Sequence, residues 1–174
     1  SVHGGNRLGA NSLLDTIVFG ERSGVHAAYF ASGQSYINVN ENEVVAREEQ
    51  RLQGMLDRPD NGDRWGKIRL AMGDSMNRNV AVFRDKEGIE ETIQELQELK
   101  IRYGGVPVHN KGKVFNTDLI FALELGFMLD CAEAIAVSAL ERKESRGAQF
   151  RIDYPSRDDE NGLKHIVVSQ GEIG

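Results

Sequence analysis

Four stretches between Glu41 and Lys143 carry apolar residues at helical spacing, each bounded by glycine, proline or asparagine, and this succession limits the fold more than any other feature. From Glu41 to Asp57, Val45, Leu52, Met55 and Leu56 line one face, and Pro59 with Asn61-Gly62 stops the helix. A second helix is expected over Asp63–Arg84, with Trp65, Ile68, Met72, Met76 and Phe83 at spacings of three, four and seven. The third, Glu87–Tyr103, places Ile89, Ile93, Leu96, Leu99 and Tyr103 opposite a solvated Glu/Gln face and ends at Gly104-Gly105 and Pro107. After a basic loop, Val108–Lys113, the fourth runs from Thr117 to about Lys143, with Ile120, Leu123, Phe127, Cys131, Ala134 and Ser138 on its expected packing face. Short connections between such helices imply an antiparallel bundle, so the fold class is mainly α.

The flanks differ from the bundle. Residues 1–34 read as a loop–helix stub, 35–144 as the bundle domain and 145–174 as the start of a further domain, with the first boundary in the Gly/Ser/Asn-rich run Ser32–Asn40. Ser12-Leu13-Leu14-Asp15 has the form of a capping box, with Asn11 as the competing cap. Leu13, Leu14, Ile17, Val18 and Phe19 point around most of the helix that follows, as in an interior helix. If its cover is lost, that helix is expected to self-associate or fray. Ser145–Asn161 is dense in Arg, Asp, Gly and Pro and reads as an ordered charged loop, and the alternation over Leu163–Gln170 predicts one short strand.

Composition excludes several functions. A formal net charge of -6 gives no basic field for a nucleic-acid backbone or an anionic lipid surface. The single cysteine, Cys131, lies in the apolar run Phe127–Val137, where a small buried hydrophobe is expected rather than a ligand or nucleophile. No apolar run has the length of a membrane-spanning helix, and the first residues lack the layout of a signal peptide. His3, His26, His109 and His165 are scattered without zinc spacing, so no metal site is expected.

The residues suited to chemistry cluster at the start. The glycines of Ser1–Ala10 allow close backbone approach, and Arg7 offers a planar fork for a carboxylate five residues before a helix amino terminus that attracts negative charge. Taken alone, Arg7 is as well explained by an ordinary structural salt bridge, which is the commoner fate of such a residue. His3, a lone histidine in a glycine loop, is expected to hold structure by hydrogen bonding. Glu144, Arg146, Arg151, Asp153, Arg157, Asp158 and Asp159 allow a catalytic carboxylate set or a salt-bridged surface loop, and their alternating signs favour the loop.

The run His-Gly-Gly-Asn-Arg-Leu-Gly-Ala-Asn-Ser-Leu-Leu-Asp (His3–Asp15) resembles the signature of the succinate dehydrogenase and fumarate reductase flavoproteins. The Arg...Met...Val-Phe-Arg pattern of Arg69–Arg84 and the segment Glu144–Asn161 resemble further parts of that family, so nearly the whole chain is covered. The resemblance implies a substrate-binding Arg7 that clamps a carboxylate of succinate or fumarate. It also implies contacts from Ser12 and Leu13 to the flavin of FAD, with Asn11 and Gly9 as neighbours of weaker claim. It further implies an iron–sulfur subunit as partner, membrane anchor subunits reached indirectly, and a peripheral position on the cytoplasmic face of a bacterial inner membrane or the mitochondrial matrix face. Gly5 stands where alanine is common, and Gln149 where many members have histidine. The pyrophosphate-binding glycine turn, the histidine of a covalent flavin bond and the proton-relay arginine are expected outside this sequence. The chain therefore reads as a carboxy-terminal fragment, inactive alone and with no catalytic residue of its own. Alternatives are a helical docking module for the iron–sulfur subunit, a piece of fumarate reductase, or a piece of aspartate oxidase; the Ser145–Asn161 stretch argues against the last.

Overall fold

A computed structural model describes residues 3, 9–37 and 40–171. Its elements are α1 (Asn11–Ser32), α2 (Glu41–Leu56), α3 (Trp65–Asn79), β1 (Phe83–Arg84), α4 (Lys86–Tyr103), α5 (Thr117–Glu141) and β2 (Phe150–Arg151). Contacts divide the chain into two units, Ser1–Arg47 and Glu48–Gly174.

In the first unit α1 has no buried residue. The interior environment expected of it is not realised, because nothing within this unit packs over its apolar circumference. Its capping box is not formed either. Ala10 occupies the N-cap in a left-handed conformation (φ 68) with no side-chain cap, and Asn11 is the first helical residue. Asp15, which the box would have used, is instead paired with His3 Nε2.

In the second unit α3, α4 and α5 pack on one another as an antiparallel bundle, and the end of α2 adds Met55 to the core. Ile68 and Met72 from α3 meet Ile89, Leu96 and Leu99 from α4 and Leu125 and Leu129 from α5. Three helix starts are fixed by side chains: Asn40 accepts from Glu43 N at the head of α2, Asp85 from Gly88 N at the head of α4, and Asn116 from Leu119 N at the head of α5. One polar pair is buried between α3 and α4, where Ser75 Oγ donates to Thr92 Oγ1 at 3.1 Å.

Three expectations are corrected. First, α3 stops at Asn79 rather than Arg84, and Phe83–Arg84 form β1. There the carbonyls of Val82 and Arg84 accept from Phe150 N and Ile152 N at 2.7 and 2.9 Å. The aromatic and β-branched run Val80-Ala-Val-Phe yields to this pairing. Second, α5 buries Ala122, Leu125, Leu129, Ala132, Ala136 and Ala139, while Phe127 is 60% exposed and Cys131 is exposed as well. Since α5 is apolar nearly all round, its periodicity singles out no face, and the alanine side wins because it lets helices approach closely. Third, Leu163–Gln170 forms no strand; the strand of this region is β2, parallel to β1 in the register Phe83↔Phe150 and Arg84↔Arg151.

Candidate functional site

The residues singled out for the flavin, Asn11, Ser12 and Leu13, lie in the first turn of α1. Arg7 is outside the described residues. Asn11 is exposed in the first turn, Ser12 is half-buried beside it, and the Leu13 side chain is 74% exposed. The first turn contains no acid and its amides have no side-chain cap. Such an end favours negative charge placed beside it. His3 pairs with Asp15 on α1, the hydrogen-bonding role expected of His3. The arrangement offers an anion-attracting helix end next to a bare apolar side chain.

The second charged cluster is of another kind. Glu144 is 1% exposed and accepts from Arg146 Nε at 2.8 Å, Arg146 Nη2 at 2.9 Å, Arg142 Nη1 at 2.6 Å and Asp158 N at 3.0 Å. These donors, Arg146 foremost, lower its pKa to about 2 against the opposing effect of burial. Gly162 is required beside it, because a Cβ there would lie 2.3 Å from Glu144 Oε1. Arg151, also 1% exposed, forks onto Asp153 at 2.8 and 2.6 Å. Its Nη1 donates to the carbonyls of Ala139, Leu140 and Arg142 at 2.8, 3.2 and 2.8 Å, satisfying acceptors left over at the end of α5. Arg157 and Arg146 share Asp159 at 2.7 Å each and hold its pKa to about 2, with Arg157 the larger cause.

The structural reading of this cluster as a salt-bridged surface loop therefore holds, and two of its members, Glu144 and Arg151, are buried and lock the loop to the end of α5. Sequence reasoning missed Arg151 as a helix cap and Asp85 as the N-cap of α4. An aspartate two residues before Glu87 was the available signal for the latter.

The bundle, the two-stranded parallel sheet and the locked loop recur in solved structures of flavoprotein oxidoreductase subunits, and the chain shares the fold of their helical part. A solved quinol-fumarate reductase with menaquinol molecules superposes with a TM-score of 0.86 at 42% identity, over 92% of this chain and 28% of that chain. Residues 69–173 match the family model described as fumarate reductase flavoprotein C-term, and the chain belongs to that family, the flavoprotein subunits of fumarate reductase and succinate dehydrogenase. The fumarate reductase flavoprotein subunit of Haemophilus influenzae is 40% identical over 99% of this chain. The succinate dehydrogenase flavoprotein subunit of Rickettsia conorii is 39% identical over 100% of it. The chain spans 29% of the length of each of these two relatives.

Proposed function

We propose that this chain is part of the flavoprotein subunit of a succinate dehydrogenase of the citric acid cycle and respiratory complex II. That subunit oxidises succinate to fumarate and passes electrons through an iron–sulfur subunit to quinone; fumarate reduction is the second reading. Bound FAD supplies the hydride acceptor. The supporting observation is the signature His3–Asp15 leading into an α1 amino terminus with no side-chain cap and no acid in its first turn.

In this reading the guanidinium of Arg7 clamps one carboxylate of the dicarboxylic acid and fixes its orientation by two parallel hydrogen bonds. Asn11 and Ser12 present the first-turn amides, which favour negative charge next to them. Leu13 gives the flavin an apolar cover and keeps water away. The bundle is scaffold and docking surface for the iron–sulfur subunit. No helix among the described residues is long and apolar enough to cross a membrane, which suits a peripheral subunit on the cytoplasmic or matrix face held by separate anchor subunits.

Two measurements test this. The 174-residue chain mixed with FAD and succinate should show no dye reduction, and turnover at the rate of a complete enzyme would refute the fragment reading. In the full subunit, Arg7→Gln should lower kcat/KM for succinate by about 100-fold or more while the melting temperature stays unchanged. Undiminished kcat/KM would remove Arg7 from the site.

A further inference from the structure

The geometry points to a carboxylate-binding site in the groove between β1 and the carboxy-terminal half of α5, anchored by Arg84. The groove is lined by Arg84, Ser138, Arg142, Gln149, His165 and Ile166 among others. Nothing in the proposed reaction uses it.

The argument starts from the register of the small sheet. Arg84 on β1 stands directly opposite Arg151 on β2, so two like charges face each other across adjacent strands. Such a pair is destabilising unless both charges are matched. Arg151 is matched by the bidentate bond to Asp153. Arg84 is not. Its Nε donates to the carbonyl of Ala81 at 2.8 Å and its Nη1 reaches the neutral Gln149 Oε1 at 3.4 Å. It has no carboxylate partner among the described residues, and neither does its Nη2 have a hydrogen bond there. Burial, and then the charge of Arg151, push its pKa down, as expected for a half-buried guanidinium lacking a counter-charge.

The other cations of this neighbourhood are matched. Arg142 is held by Glu144 and by the carbonyls of Gly162 and Lys164. Arg146 has Glu144 and Asp159. Among the described residues one uncompensated charge therefore remains in the groove, with Nη2 on the outer edge of the guanidinium without a hydrogen bond and the Gln149 amide next to it. A planar monoanion of two oxygens fits that edge, whereas a phosphate dianion would bring more charge than the single free cation offsets. The carboxylate can be a small free acid or an acidic side chain of the same assembled protein.

Acetate titration of the 15N-labelled chain, following the Arg84 Nε–H resonance and, in every variant, the backbone amides of Phe150 and Ile152 that bond to β1, tests the site, with sodium chloride at matched ionic strength as control. A saturable acetate shift that chloride does not reproduce is expected, and Arg84→Gln should weaken acetate binding at least tenfold. Gln149→Glu places a carboxylate next to Arg84 from within the chain. It should abolish the acetate response and raise the melting temperature, and it remains informative if the arginine variant fails to fold. An Arg84 response identical in acetate and chloride, or an acetate response that survives Gln149→Glu, overturns the site. Repeating the titration on the full subunit separates the sources: a retained response means a free acid, and a lost one means an acidic side chain already fills the groove.

Discussion

The amino terminus of α1 and the loop around Glu144 are both dense in polar and charged residues, and both resemble the same family, yet they are opposite in construction. Around Glu144 the buried charges find their counterparts inside the chain: one carboxylate takes four donors, and one guanidinium takes a carboxylate and three carbonyls at the end of α5. At α1 the helix starts on an uncapped left-handed alanine, and its apolar side chains are uncovered. A self-satisfied polar cluster is architecture, because its groups have no valence left for a ligand. An unsatisfied one, built on glycines, is where a second molecule completes the structure.

The contrast can be broken most forcefully at Arg151. Arg151→Ala would leave three carbonyls at the end of α5 without their donor, remove the cation partner of Asp153 and empty a buried site, and should cost about 3–5 kcal/mol, a large share of what a domain of this size has. Thermal or urea melting of the chain would show it. Glu144→Gln keeps the shape but removes the charge that three guanidinium hydrogen bonds use, and should cost about 1.5–3 kcal/mol.

Acid sharpens the same point. The folded pKa of Glu144, about 2, lies below its ordinary 4.5, so its contribution is fully present above 4.5 and is lost as pH falls through 2. Stability should therefore decline between these values, with Asp159 acting in the same direction from its own pKa of about 2. The Glu144→Gln chain should show a flatter decline over that window. Smallest is the effect expected at the other region: Leu13→Ser should move the stability of the isolated chain by less than about 0.5 kcal/mol, since the side chain lies mostly in water. A loss comparable to that of Glu144→Gln would erase the distinction between the two regions.

Much of this architecture was legible because the helices carry their own punctuation. Pro59, Asn61-Gly62 and Gly104-Gly105 end helices where they are expected to, and α4 keeps the face that its spacing implies, whereas on α2 only the end of the expected face is buried, at Met55, and Val45 is exposed. The reading failed where pattern carried no information. On α5 every side is apolar, so Phe127 and Cys131 were placed inward and the alanine face overlooked. At the end of α3, Phe83 kept the helical interval but belongs to a strand whose partner lies far along the chain, and a two-residue strand has no period to detect. Leu163–Gln170 has the alternation of a strand, but no neighbouring strand pairs with it among the described residues. For the candidate site, the signature was visible as a run of residues, whereas the uncapped start of α1 and the unmatched charge of Arg84 required three dimensions.

Amide hydrogen exchange on the chain compares the two regions in one experiment. The amides of Arg151 and Asp158, which donate to Ser145 Oγ and Glu144, should exchange with protection near that of the α5 core, while those of Asn11–Leu14 exchange at close to the rate of an open chain. Equal protection at the start of α1 would contradict the account, because it would mean that this end is already complete without a ligand.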